Sequence, residues 1–213
     1  MVGRSGCGKS TLLRCIGGLI APTTGSIKIS GQIVTEPHPQ IGYVFQQPVL
    51  LPWRTVEANV SLPFEVKGKP TKEEKNKVKK VLEIVGLSDY AKHRPGELSG
   101  GMQQRVSVSR SLVTEPSILL MDEPFGALDA QTREDMNVEL LRIWEVAKTT
   151  IVFVTHDIGE ALFLSDRVVI MSARPGKIDD IIEVNSPRPR SFDQVENDPE
   201  FWKMRQRIRK ALH

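Results

Sequence analysis

Residues 1–15 read MVGRSGCGKSTLLRC. Gly3, Gly8, Lys9 and Ser10 fit the spacing G-x-x-x-x-G-K-[ST], a turn that joins the end of a strand to the start of a helix and cradles phosphates. Gly6 and Gly8 let the backbone turn tightly, so that successive N–H groups point at phosphate oxygens. Lys9 adds a point charge for the β- and γ-phosphates, and Ser10 offers a hydroxyl to Mg2+. The helix that follows adds the positive end of its dipole. Only Met1 and Val2 stand where the preceding strand is expected. Taken alone, the pattern also arises in glycine-rich turns, so its meaning depends on the rest of the chain.

Downstream, strand and helix signals alternate. Residues 9–19 read as the helix after the loop, ending at Gly17-Gly18. GSIKISG and IGYVFQ read as short strands with turn chemistry between them. TVEANVSLPFEVKG reads as a helix broken near Pro63. Thr71 with Glu74 forms a capping-box signature, Val78, Val81, Leu82 and Val85 make one apolar stripe, and Gly86 is the stop. A helix from Ser99, the strand SILLMD, a helix over 131–148, the strand TTIVFVTH, a short helix DIGEALFL and the strand DRVVIMS follow. At the end, Asp198 caps a helix with Pro199 at its first position, and Phe201, Met204, Ile208 and Leu212 share one face. The alternation predicts a three-layer α/β fold with a mostly parallel sheet.

The composition narrows the classes. The 213 residues are 39% apolar and 26% charged, which suits one large globular domain or one with a small appendage. A net charge of +3 is too mild to argue for nucleic acid. The longest apolar runs, SILLM and TIVFV, fall far short of the roughly 20 residues of a membrane span. The start is a glycine-rich loop rather than a signal peptide. The two cysteines, Cys7 and Cys15, give neither a disulfide framework nor a metal motif. A cytoplasmic compartment is the expectation.

Two further stretches carry chemistry. SILLMDEP leads an apolar strand into Asp122 and Glu123, a carboxylate for Mg2+ and a neighbour able to polarise water; by itself it equally fits an acidic turn after a strand. LSGGMQQR, residues 98–105, opens a helix with Ser99, Gly100 and Gly101, an anion-binding N-terminus or simply a cap. A chain with one phosphate loop thus carries a second phosphate-seeking helix start.

In this order and at these distances, GRSGCGKST, VFQQ, LSGGMQQR, ILLMDEP, GALD and VTH resemble the ATP-binding-cassette (ABC) ATPase family. The likeness runs from Gly3 to about residue 185. It implies a phosphate-loop NTPase domain over 1–185, with a helical subdomain inserted at roughly 50–115 and a basic tail over 186–213. Gly3, Arg4, Ser5, Gly6, Cys7, Gly8, Lys9, Ser10 and Thr11 would hold the triphosphate of ATP. Ser10, Gln46 and Asp122 would hold Mg2+. Glu123 would be the general base, Gln46 would reach the attacking water, and His156 would touch the γ-phosphate. Asp129 would lie at the interface of a head-to-tail dimer, where Ser99, Gly100 and Gly101 close over ATP bound to the second copy. Residue by residue, Gln46 and His156 also fit ordinary polar positions after strands. Arg4 stands where the family commonly has proline, and SRSL at 109–112 replaces a more usual alanine-rich version.

The resemblance also implies partners. QPVLLPWRTVEANVSLPFEV resembles the surface that receives a helix from a membrane permease; Leu50, Leu51, Pro52 and Trp53 are expected to be exposed there, against the plainer reading of a core segment. LPWRTVEANV and MSARPGKIDDIIEVNSPRPR are similar to importer ATPases of the nitrate, sulfonate and taurine group. That implies an extracytoplasmic solute-binding protein acting indirectly, a place on the cytoplasmic face of the plasma membrane and no nucleic acid. The alternatives are a soluble cassette acting on nucleic acid and drug export. Arg188, Arg190, Lys203, Arg205, Arg207, Arg209 and Lys210 read as a solvated face, with nucleic acid or anionic lipid as the other reading. The family places strands and an adenine-stacking aromatic ahead of the loop, so the first strands read as missing. The further alternative is therefore an inactive, N-terminally truncated fragment, poorly stable because buried N–H and C=O groups would be orphaned at roughly 1–3 kcal/mol each.

Overall fold

In the computed structural model, which describes residues 1–173 and 175–212, the residues ahead of the loop form a short strand. In chain order the strands are β1 (Val2–Gly3), β2 (Lys28–Ile29), β3 (Gln32–Ile33), β4 (Ile41–Val44), β5 (Ile118–Asp122), β6 (Thr150–Val154), β7 (Arg167–Ser172) and β8 (Lys177–Glu183). The helices are α1 (Lys9–Ile16), α2 (Val56–Glu65), α3 (Lys72–Ile84), α4 (Gly100–Leu112), α5 (Ala130–Ala147), α6 (Ile158–Leu164), α7 (Phe192–Asn197) and α8 (Pro199–Leu212). The chain divides into two compact units, Met1–His38 with Val152–His213, and Pro39–Ile151. Arg174, inside the MSARPGK stretch, lies outside the described residues.

In the first unit β1 runs parallel to β7, Val2 opposite Ile170 and Gly3 opposite Met171. On its other edge Val2 bridges Thr155, also in parallel. The Met1 amine donates to the Phe153 carbonyl (2.5 Å) and the Met1 carbonyl accepts from the Thr155 N–H (3.1 Å). The lead-in to the loop is therefore hydrogen-bonded on both edges, so its backbone groups escape the penalty of buried, unpaired donors and acceptors. The strand β8 pairs antiparallel with β7, giving the order β1-β7-β8. The sequence reading has no strand there, because β8 lies at the edge and alternation is weak: Ile182 is buried while Ile178 and Ile181 are exposed. GSIKISG holds not one strand but half a hairpin. Ser30 and Gly31 both take positive φ (49° and 82°), which turns β2 back onto β3.

The tail differs from a solvated face at two positions. Arg190 is buried and donates to the carbonyls of Leu162, Phe163, Ser165, Val184 and Ser186, while Arg188 pairs with Asp166 and donates to the Leu164 carbonyl. Together they take up carbonyls at the C-terminal end of α6 that the helix itself leaves without donors. The helix α8 starts as expected, with Asp198 Oδ1 accepting from the Glu200 N–H (2.8 Å). It buries Phe201 and Ile208 and packs on α6, β7 and β8.

In the second unit β4 runs parallel to β5 with Val44 opposite Met121, and β6 begins on the other side of β5, where the Thr150 N–H donates to the Ser117 carbonyl (3.1 Å). Leu119, Leu120 and Met121 are fully buried. The helices α2, α3 and α4 pack together, and α4 also packs on β4 and α5. The Thr71–Glu74 box closes in both directions (2.8 and 3.2 Å). Val78, Leu82 and Val85 are buried and Val81 is half-buried, and Gly86 at φ +67° ends the helix. Pro63 does not break α2. It sits in the last turn, where one N–H is lost, and the Val66 N–H still reaches the Leu62 carbonyl (3.1 Å).

Candidate functional site

The loop lies in the first unit. Gly6 and Gly8 take φ of 79° and 96°, a region closed to most side chains. Gly3 is needed for a different reason: a Cβ there would stand 2.7 Å from the Met171 carbonyl oxygen and 2.6 Å from Cys7 Sγ. Lys9 is buried, and its Nζ donates to the carbonyls of Gly3 (2.9 Å) and Arg4 (3.3 Å), so the ammonium lies within the curve of the loop. The first turn of α1 carries no acidic residue, leaving its dipole end for an anion. Arg4, Ser5, Gly6 and Thr11 are exposed, and Ser10 is half-buried at the first turn. Because Val2 bridges Thr155 in parallel, Gly3 and His156 leave neighbouring strands at the same end. Ligands of α/β sheets bind at that carboxyl end. Gly176 was missed in the sequence: a Cβ there would lie 2.3 Å from the Cys7 carbonyl oxygen, so the turn before β8 backs directly onto the loop.

The carboxylates lie in the second unit. Parallel pairing of Val44 with Met121 sends Gln46 and Asp122–Glu123 out at the same end of the sheet. Asp122 is buried at the end of β5, so the acidic-turn alternative applies only from Glu123 onward. Glu123 takes φ +44°, a conformation that costs an L-residue roughly 1–2 kcal/mol. A Cβ on Gly126 would stand 3.6 Å from Gln46 Nε2 and 3.7 Å from Glu123 Oε2, so these two side chains converge on one bare stretch of backbone.

Ser99, Gly100, Gly101 and Asp129 form a third cluster, also in the second unit. Ser99 Oγ accepts from the Met102 N–H (3.3 Å) and Asp129 Oδ1 from the Thr132 N–H (3.0 Å), capping α4 and α5. The hydrogen bond from Thr132 draws the Asp129 carboxyl below the ordinary carboxylate pKa. A Cβ on Gly101 would come within 2.9 Å of Thr132 Cγ2, so the glycine permits the two helix starts to touch. Ser99 and Gly100 remain exposed, and the first turn of α4 holds no acidic residue.

The loop after Gln46 is clamped. Asn59 is buried; its Oδ1 accepts from the Leu51 N–H (2.8 Å) and its Nδ2 donates to the Leu51 and Thr55 carbonyls (3.1 and 3.0 Å). Arg110 donates to the carbonyls of Pro48 and Val49 (3.0 and 2.9 Å), and Val49 is held at φ +45°. Leu50 and Leu51 are half-buried rather than exposed, because these bonds turn them inward; Phe45, Val49, Pro52 and Trp53 face outward, Trp53 at 70% exposure. Neither Arg110 nor Asn59 was singled out from sequence, since the carbonyls they hold carry no side-chain signature.

The match of the ABC transporter family model to residues 1–126 covers the loop, Gln46, the Ser99 helix start and the two carboxylates. The chain belongs to the ABC transporter family, as an ATP-hydrolysing cassette. It is 52% identical over 191 residues to the aliphatic sulfonates import ATP-binding protein SsuB of Bacillus cereus, covering 90% of this chain and 75% of that protein. It is 45% identical over 209 residues to the nitrate import ATP-binding protein NrtD of Synechococcus elongatus, covering 96% and 76%. Among solved structures, the dimeric bacterial ABC transporter cassette MJ0796 matches at a TM-score of 0.72 and 35% identity over 87% of this chain and 84% of that one. A post-hydrolysis dimer of MJ0796 bound to ADP and Pi matches at 0.71, with the same identity and coverage.

Proposed function

We propose that this chain is the ATPase subunit of an importer for a small oxyanion or organic anion of the sulfonate and nitrate kind, acting on a separate membrane permease. The observation that carries the reading is the pair of helix starts with neither an acidic cap nor a first-turn acid, one behind Gly8 and one behind Ser99, whereas α5 is capped by Asp129. A single nucleotide site within one chain needs only one of them. Two are accounted for if the second closes over ATP held by another copy, head to tail, with Asp129 at the same interface. The importer assignment draws on the relatives, which are named for sulfonate import, nitrate import and bicarbonate transport.

In this reading the Gly3–Thr11 loop holds the phosphates and Lys9 supplies charge to the β- and γ-phosphates. Glu123 accepts a proton from the attacking water, Gln46 orients that water, and His156 contacts the γ-phosphate. The Ser10 hydroxyl, the Asp122 carboxylate and the Gln46 side-chain carbonyl are hard oxygen donors of the kind Mg2+ takes beside substrate phosphates, so these residues fit the ion, which supplies charge neutralisation in phosphoryl transfer. The clamped loop, with Val49, Pro52 and Trp53 outward, is the surface offered to the permease within Gln46–Val66. No helix among the described residues is long and apolar enough to cross a membrane. Attachment through the permease at the cytoplasmic face is accordingly peripheral.

Expression in cells that lack the ATPase subunit of an aliphatic-sulfonate importer, but keep its permease and binding protein, tests the function. Growth on a sulfonate as sulfur source is restored by the parent chain and not by Lys9→Ala. Trp53→Glu abolishes co-purification with the permease and leaves ATP hydrolysis by the isolated chain within about twofold, since an exposed rim residue contributes little to the fold. Growth with Lys9→Ala contradicts the function, and co-purification of Trp53→Glu contradicts the docking surface.

A further inference from the structure

In the second unit, away from both of the clusters that unit carries, a cleft of about 360 Å3 opens between the last turns of α3 and α5 and the end of α4. Its walls are apolar: Val81, Ile84, Val85, Leu112, Ile143 and Val146. Leu112, Val85 and Ile143 form a buried floor, whereas Val146 is 61% exposed at the mouth. The volume lies within the range of small-molecule sites, whose usual build is an apolar body with a few polar groups at the edge.

The rim decides what kind of ligand fits. Lys77, Lys80 and Glu115 stand around it. Lys77 Nζ donates to Glu115 Oε2 at 2.8 Å, so that pair is neutral as a whole. Lys80 is exposed and makes no ion pair among the described residues, leaving one net positive charge. Helix C-termini carry partial negative charge, and at the ends of α3 and α4 part of it is offset where final carbonyls accept from the N–H groups that follow. Val85 and Leu87 N–H donate to the Val81 and Leu82 carbonyls, Val113 N–H to Ser109, Glu115 N–H to Leu112, and Lys148 N–H to Trp144. The ammonium of Lys80 is the one full charge on the rim that has no ion pair among the described residues.

From this geometry we infer that the cleft is a binding site for an amphiphilic monoanion, an aliphatic chain in the apolar cleft with its sulfonate or carboxylate head at Lys80. The assignment stands on the cleft and its rim alone and does not depend on the nucleotide chemistry.

Titration calorimetry of the full chain with octanesulfonate, below its micelle concentration, tests it. Methanesulfonate serves as the head-only control and octanol as the tail-only control. One saturable site for octanesulfonate is expected, at least about tenfold tighter than for either control. Lys80→Glu weakens it about fivefold, in keeping with an exposed charge contact. Ala147→Phe, which fills the mouth, abolishes it. Val146→Asp, at a position exposed enough not to disturb the core, does the same if Ala147→Phe folds poorly; unchanged circular-dichroism melts identify the usable variant. Non-saturable uptake, equal binding of octanol, or binding that survives the usable mouth variant overturns the site. Unchanged affinity in Lys80→Glu overturns the choice of an anion.

Discussion

Lys9 and Glu123 carry the proposed chemistry, and each is held where the backbone has little freedom. The Lys9 ammonium is buried against two loop carbonyls, so its charge is already aimed before phosphate arrives. Glu123 occupies the left-handed region, which turns its carboxylate towards Gln46 across Gly126; strain of this kind persists where the surroundings over-determine it. Glu123→Gln keeps the shape and removes the base. It is predicted to bind Mg-ATP with near-parent affinity and to hydrolyse it at least about 100-fold more slowly, measured by phosphate release; hydrolysis at the parent rate contradicts the assignment. Met1 gives a pH signature. In the chain that begins at this residue, burial first, then the charge of Lys9, brings the amine pKa from 8.0 down to about 5, partly offset by Glu160. Because the folded value lies below the unfolded one, the unfolded chain binds more protons between pH 8 and 5, and this group's contribution to stability falls as pH drops through that window. An NMR titration of Met1 is expected to show a midpoint near 5, and a midpoint near 8 rules out the buried pairing with Phe153.

At the scale of elements, the features legible in the sequence are local and most of the concealed ones are distant. The Thr71–Glu74 box, the Ser99 cap and the Gly86 stop each use partners within a few residues, and side-chain chemistry announces them. The phosphate loop and the strand ending at Asp122 were readable for the same reason. The edge strand β8 and the inward turn of Leu50 and Leu51 depend on partners far along the chain; the short helix α7 was missed although its Ser191–Gln194 capping box is local. Arg190 holds carbonyls at Leu162–Ser165, and Arg110 holds Pro48 and Val49; from sequence Arg190 read as part of a solvated face and Arg110 was not singled out. Gly176 supports the loop only because the fold brings it to Cys7. Arg190→Met tests the tail. It strands several buried carbonyls around the end of α6 and is predicted to cost roughly 2–4 kcal/mol, read from the urea midpoint. Arg190→Lys is not expected to restore it, because a point charge cannot reach five carbonyls as a planar fork does. A midpoint within about 0.5 kcal/mol of the parent contradicts the role.

At the scale of the whole molecule, each unit presents one helix start with neither an acidic cap nor a first-turn acid, and the carboxylate pair stands in the unit that carries Ser99. These are the parts of an ATP-binding cassette. ATP that binds the native state and not the unfolded chain adds about 2.7 kcal/mol at a hundred times its dissociation constant. For a chain of this size that raises the melting temperature by roughly 5–10 °C. The most direct measurement is a thermal melt of the 213-residue chain with and without Mg-ATP, beside Lys9→Ala under the same conditions. That upward shift is expected in the parent chain, and its loss in Lys9→Ala. A cooperative melt that Mg-ATP leaves unmoved, or an equal shift in Lys9→Ala, contradicts the assignment of the ATP site.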